Sequence, residues 1–413
     1  MTDTPKQHRL IPLFLSATAT SFADWIDYLA IVALLTHWQV GAWGLAWFAI
    51  ALAAPRLFVG PLAGMLTDRF PHKSVYLGAN IGRALICGVM IFSPNPIILL
   101  ILVALRTSFA SASLPASQAA IPNLVGPDQL TSVNSTLFTI RQLTRILGPA
   151  LGGALLLALS SQSLFVLTAA LSVFAALTFL LLEMPGEGRK SHQVSETFLV
   201  NFKAGLTEIT GQPLLLLATV YFAASMFATF LYDSFAVLYL DSLGMPASFL
   251  GAVMAALGAG GIAGALLLGR LSLTTQKAFV SMTVSSAAIG ALIMLAGVLP
   301  YITQSASALF LTVLFFVVGV ANSFALIPYR TIVQLETSKD KMGRVTALSD
   351  AFVTATMVSA PFFGSVIISV FKIGAAFLVS GAITLAIAAL TWILAQRITK
   401  PAAAPASTNS MGT

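Results

Sequence analysis

Long apolar stretches alternate with short polar breaks along the whole chain, and almost every stretch is about 20 residues or longer. A membrane-spanning helix needs about 20 mostly apolar residues. Segments of that kind fall at 10–36, 43–67, 74–93, 96–120, 135–159 and 162–183, and again at 214–241, 246–270, 277–299, 304–328, 345–370 and 373–395. The pattern predicts twelve spans in two sets of six. The polar stretch from about Glu183 to Gln212 divides them, with Pro185-Gly186-Glu187-Gly188-Arg189-Lys190 at its start and an amphipathic piece near Phe198 to Ile209. The expected organisation is a first six-helix bundle over 1–183, a cytoplasmic linker over 184–212, a second bundle over 213–396 and a disordered Pro- and Ala-rich tail over 397–413. Lys6 and Arg9 precede the first span, and Ala17-Thr18-Ala19 resembles a leader cleavage site only in passing, because hydrophobicity resumes through Leu35.

Composition agrees with that pattern. Of 413 residues, 58% are apolar and only 8% charged, against about a quarter charged in a soluble domain. A chain so poor in charge cannot cover a water-facing surface. The net charge of +7 does not indicate nucleic-acid binding, because Lys and Arg gather in a few short loops rather than on one patch. Arg69, Lys73, Arg189, Lys190, Arg270, Lys277, Arg330 and Arg344 fall on one side of the predicted spans, and Lys372 alone falls on the other. The positive-inside rule then places both termini and the linker in the cytoplasm. Cys87 is the single cysteine, so neither an internal disulfide nor a cysteine metal site is available.

The two sets also resemble each other, as internal repeats do. Gly148-Pro149-Ala150-Leu151-Gly152 in span 5 aligns with Ala360-Pro361-Phe362-Phe363-Gly364 in span 11, and Pro115 of span 4 with Pro328 of span 10. Duplicated halves with a site between them suit alternating access.

Between spans 2 and 3 the chain reads Gly64-Met65-Leu66-Thr67-Asp68-Arg69-Phe70-Pro71-His72-Lys73. This resembles the loop signature of the major facilitator superfamily, with Pro71 where a Gly and His72 where an Arg is usual. Span 5 carries Gly148-Pro149-Ala150-Leu151-Gly152-Gly153, similar to the motif of the superfamily's antiporter branch. Arg106 stands where that family has an intramembrane arginine in span 4, without the Gly that usually follows. Pro115 to Pro122, with Asp128-Gln129-Leu130 and Asn134, resembles the drug and siderophore exporter group that includes macrolide efflux proteins and the enterobactin exporter. The resemblance implies an all-α integral membrane fold of two pseudo-symmetric six-helix bundles. It implies a gating cluster of Gly64, Asp68, Arg69, Lys73 and Arg344, with Asp68 clasping the end of span 11 near Arg344 in the outward-facing state. It also implies a pliable packing seam at Gly148, Pro149, Gly152 and Gly153.

Charges inside spans are costly, about 2.5–3.5 kcal/mol each on insertion scales, so they mark partners or functions. The acidic set is Asp24, Asp27, Asp233 and Asp350; the basic set is Arg56, Arg83, Arg106, Arg141 and Arg145. Asp24 and Asp27 are three apart and share a helix face. Two carboxylates that close repel when both are ionised, an arrangement suited to carrying a proton or to neutralising a nearby arginine. Arg141, Arg145, Gly148 and Gly152 form one stripe, so arginines left unpaired would make a cavity positive and favour an anionic substrate; a gate-closing ion-pair network is the other reading. Trp25, Tyr28, Phe222, Phe227, Phe230 and Tyr239 offer apolar surface for a bulky ligand.

The expectation is a monomeric, multi-pass transporter of the bacterial inner membrane. It would export an amphiphilic or anionic small organic compound in exchange for protons, with no cofactor, no metal, no nucleic-acid partner and no enzymatic activity. A facilitator, an importer or a lysophospholipid flippase uses the same scaffold. A membrane enzyme would need a compact polar constellation at one face. His8, His37, His72 and His192 are scattered, and Gly258-Ala259-Gly260-Gly261 precedes no Gly-Lys-Ser/Thr sequence and is expected to serve helix packing.

Overall fold

A computed structural model describes residues 10–125, 127–184, 206–268, 274–337 and 342–399. The expected linker and tail fall largely outside these residues. Among those described, the structure is helical without strands. The first half contains α1 (Ile11–His37), α2 (Gly41–Arg69), α3 (His72–Met90), α4 (Pro96–Leu124), α5 (Pro127–Ala158) and α6 (Ser161–Leu180). The second contains α7 (Pro213–Asp233), α8 (Ala236–Ser242), α9 (Phe249–Leu268), α10 (Thr275–Ile302), α11 (Ala308–Glu336), α12 (Met342–Val370) and α13 (Ile373–Thr399).

Twelve spans result, because α7 and α8 together make the seventh. Among the described residues, ten helices are long and apolar enough to cross a membrane by length and composition. The remaining two spans, α3 and α5, carry the intramembrane polar residues Asn80, Arg83, Arg141 and Arg145, which lower their hydropathy. Helix bounds overrun the apolar segments at several ends. Helix α5 begins at Pro127 rather than near 135, and α11 continues to Glu336 rather than 328. Hydropathy measures bilayer thickness, whereas backbone hydrogen bonding continues into the interface until a cap or breaker stops it.

One span departs in kind. The seventh was expected to be continuous over 214–241, yet α7 ends at Asp233 and a turn at Ser234 and Phe235 precedes α8. Asp and Ser compete with the helical backbone for hydrogen bonds, and this pair interrupts an otherwise apolar segment.

Helix contacts show the duplication directly. In the first half α1 packs on α5 and α6, α3 on α4 and α6, and α2 on α4. In the second, α7 packs on α12 and α13, α10 on α11 and α13, and α9 on α11, the same pairs displaced by six spans. Small residues make this packing close, as is usual between helices in lipid. Gly260 and Gly264 of α9 lie against the backbone of Phe316 and Val320 in α11, and Gly297 of α10 against Gly374 and Leu378 of α13. The glycine run near Gly258 therefore serves packing, as expected.

Two seams join the halves, α2 with α12 and α5 with α9, and the repeat interchanges them. Their described contacts gather at the end away from the chain termini. Gly153 meets Ser248 and Gly251, the Pro149 carbonyl abuts Gly251, and Trp43 lies edge-on to Phe362 with ring centroids 5.4 Å apart.

Candidate functional site

The first half holds an ion cluster at membrane depth. Three helices supply it: Asp24 and Asp27 from α1, Arg83 from α3 and Arg106 from α4. One oxygen of Asp24 accepts from Arg83 Nη2 at 2.6 Å and from Arg106 Nη2 at 3.0 Å. Arg106 Nε also lies 2.7 Å from Asp27 Oδ2, an ion pair whose angle falls outside hydrogen-bonding geometry. Thr168 of α6 donates a long hydrogen bond, 3.5 Å, to the other Asp27 oxygen. Arg106 thus bridges the two carboxylates. Their surroundings differ sharply: the Asp27 side chain is fully buried, while that of Asp24 is 42% exposed. Two arginines and two aspartates balance in charge, which lowers the cost of holding ionised groups within a bilayer.

The cluster forms one wall of a cavity of about 420 Å³ between the halves. Trp25, Tyr28, Phe48 and Phe230 supply aromatic surface, and Met254 and Met357 supply adaptable thioethers. Three further charges face it: Arg56 of α2, Arg145 of α5 and Asp233 at the break between α7 and α8. None of these three makes an ion pair among the described residues. With the cluster balanced, Arg56, Arg145 and Asp233 leave the cavity formally one positive charge in excess.

The structure therefore brings Asp24, Asp27, Asp233, Arg106 and Arg145 together around one space. Arg141, one turn earlier on α5, is exposed and is not among the residues lining this cavity. The side chains of Asp350, Asp68 and Arg344 and the environment of Gly64 lie outside the described residues, so the expected clasp between Asp68 and Arg344 does too. Arg69 is exposed, and Lys73 is half-buried with an interaction of its own. Trp25, Tyr28 and Phe230 line the central cavity. Phe227 instead packs on Phe363, and Tyr239 is buried against Phe377 with its hydroxyl donating to the Ala296 carbonyl at 2.9 Å.

The span-5 motif serves two contacts. Gly148 and Gly152 accept Trp25 and Leu29 of α1, so a Cβ at either would strike those side chains at 2.7–2.8 Å. Gly153 and Pro149 face α9 of the other half. The motif therefore fixes α1, with its aspartates, against α5 and also forms the seam between halves. Sequence reasoning placed Arg83 among the intramembrane cations without pairing it to Asp24, and Thr168 was missed because a threonine in an apolar span carries no distinguishing signal.

A sequence model of the Major Facilitator Superfamily matches residues 13–355. The chain is similar to the uncharacterised transporter YfiS of Bacillus subtilis, 28% identical over 94% of this chain and 93% of that protein. It is 23% identical to macrolide efflux protein A of Streptococcus pyogenes, over 87% of this chain and 89% of that one. It is 28% identical to the enterobactin exporter EntS of Salmonella choleraesuis, over 81% and 78% respectively. The solved nucleoside transporter NupG shares the fold, with a TM-score of 0.72 over 93% of this chain and 99% of that one at 13% identity. With its duplicated six-span halves, its central cavity and a matching sequence model over most of its length, this multi-pass membrane chain belongs to the Major Facilitator Superfamily.

Proposed function

We propose that the protein is a proton-coupled antiporter that exports an amphiphilic or anionic small organic compound by alternating access. The observation that carries this reading is the bridging of Asp24 and Asp27 by Arg106 on the wall of the cavity between the halves. A proton on either carboxylate removes one of the two anions that hold Arg106. In this reading the substrate-loaded state keeps both carboxylates ionised around Arg106 and protonation follows substrate release, so that proton and substrate occupy alternate states. Proton and substrate thus bias the two halves differently, which coupling requires. The excess positive charge from Arg56 and Arg145 supports an anionic or amphiphilic cargo. The names of two relatives, a macrolide efflux protein and an enterobactin exporter, support the direction of transport. Contact at the end away from the termini corresponds to an inward-facing state, if both termini are cytoplasmic as the loop charges imply. The proton gradient is the energy source in this reading, no cofactor takes part, and a single chain in the bacterial inner membrane suffices.

The test is proton flux from inverted vesicles, comparing the native chain with Asp24→Asn and Asp27→Asn across anionic and cationic compounds. Proton release triggered by a compound and lost in one variant is the expected result. Uptake of compound with no proton movement in any variant would refute antiport and leave a facilitator.

A further inference from the structure

A second, smaller cavity of about 190 Å³ opens from the central one into the interior of the second half. Arg145, Phe230 and Asp233 line both spaces and so mark the mouth. Beyond them the walls are α7, α10 and α11, with Leu257 of α9 and Thr384 of α13. The six-span repeat makes this the counterpart of the place where α1, α3 and α4 hold the ion cluster. The first half fills that place with two carboxylates and two guanidinium groups. The second half leaves it hollow.

The hollow carries no charge past its mouth, but it is polar. Ser225, Thr229 and Asp233 are four residues apart on α7 and run as one stripe from its interior to its mouth. The Ser225 hydroxyl is buried close to the Tyr221 hydroxyl, but no partner reaches it in good hydrogen-bonding geometry. The Tyr221 hydroxyl is itself engaged, 2.5 Å from Ser286 Oγ. From α11, Asn322 presents a side-chain amide that makes no hydrogen bond among the described residues. Unmet polar groups are costly within a bilayer and are kept where they line a cavity with something to satisfy them. At ~30 Å³ per water, the space holds about six waters or one ring-sized group.

We propose that this hollow is a subsite for an uncharged group bearing hydroxyls or amides, the polar but neutral end of the transported compound. Asn322 and Ser225 hydrogen-bond that group, and Ile289, Ile293 and Val318 pack against its apolar edges. The charged part of the same compound stays in the central cavity, which Arg145 and Arg56 line. This deepens the export reading by naming what the second half recognises. It excludes compounds whose buried end is ionised, because nothing inside the hollow compensates a charge.

A cysteine placed in the hollow tests this without a known substrate. Ser225→Cys is nearly isosteric, and the native chain, whose Cys87 is buried, provides the blank. The full-length variant in detergent is reacted with four methanethiosulfonates: 2-hydroxyethyl, its isostere propyl, and the bulkier charged sulfonatoethyl and trimethylammonioethyl. Rates are divided by each reagent's rate with glutathione. The hydroxyethyl reagent is expected to react at least fivefold faster than the propyl and both charged reagents, about the effect of one net hydrogen bond. Adding Asn322→Leu removes that preference over propyl while labelling continues, which separates recognition from misfolding. Labelling no faster than the Cys87 blank, equal rates for hydroxyethyl and propyl, or preference for a charged reagent each overturns the proposal. No gradient or transport is involved. Hydroxyl-selective labelling alongside a failed vesicle assay would therefore retain this subsite and remove the antiport reading.

Discussion

Removing the Arg106 side chain should expose how much the ion cluster depends on one residue. Arg106→Met keeps much of the apolar volume and deletes the charge. Asp24 loses a contact at 3.0 Å but keeps Arg83 at 2.6 Å, so its charge remains compensated. Asp27 has no such reserve. It is fully buried, and its remaining described contact is the 3.5 Å hydrogen bond from Thr168. Breaking a buried pair from one side costs about 3–5 kcal/mol, mostly because the stranded charge stays desolvated. Asp27→Leu alone strands less, since Arg106 still reaches Asp24. The double variant Arg106→Met/Asp27→Leu removes both charges and should recover at least about 2 kcal/mol relative to the sum of the singles, the size of coupling expected for residues in contact. The assay is unfolding of purified protein in mixed micelles of dodecyl maltoside and dodecyl sulfate, followed by tryptophan fluorescence. A loss below about 1 kcal/mol for Arg106→Met, or additive singles, would refute the assignment of Asp27's charge balance to Arg106.

Three further outcomes follow from the geometry. Gly251→Val should open the seam between halves, because its Cβ would strike the Pro149 carbonyl and lie 3.0 Å from Gly153 Cα; overpacking of this kind costs about 1–3 kcal/mol. Disulfide cross-linking of Trp43→Cys with Phe362→Cys should fall at least severalfold in that background, and unchanged yield would show that the seam tolerates the side chain. Tyr76→Phe should cost about 0.5–1.5 kcal/mol in the micelle assay, since it loses hydroxyl contacts to Ser16 at 2.6 Å and Thr20 at 3.1 Å while keeping its stack on Phe179. On the export reading, Arg56→Gln and Arg145→Gln should each raise the apparent KM for an anionic compound about tenfold in vesicles and leave that for a cationic compound unchanged or lower; equal effects on both would show that neither arginine selects charge.

What could be read from the sequence follows from what the bilayer writes into it. Each span is legible because lipid demands an apolar run of fixed length, and the charge-poor stretches mark it almost directly. The duplication is legible at Pro149 with Pro361 and Pro115 with Pro328, since all four lie inside helices at matching places. The candidate charges are legible because a bilayer makes them expensive, which is why Asp24, Asp27, Asp233, Arg106 and Arg145 stood out and do converge on one cavity. Their partners were not legible. Nothing in Asn80-Ile81-Gly82-Arg83 says that Arg83 meets Asp24 rather than Asp27, because that depends on where α3 stands beside α1. The stripe through Arg141 and Arg145 misled for the same reason: helical periodicity gives a face, but the neighbouring helix decides how far along that face the cavity extends. The break at Asp233-Ser234 left only a short polar pair in an apolar run, too weak to separate from an intact span. The hollow in the second half left less still. It is formed by what α10 and α11 do not carry: Ile289, Ile293, Val318 and Asn322 stand in the second half's interior, whereas α3 and α4 fill the matching interior with Arg83 and Arg106. A repeat makes such an absence informative, because the filled half shows what the same packing can hold. On the export reading the two halves do different work: the first holds a balanced set of charges that can be redistributed, and the second holds polar groups that a ligand can satisfy. On the antiport reading, coupling rests on proton and substrate each shifting the equilibrium through its own differential affinity, and different chemistry in the two halves supplies that difference.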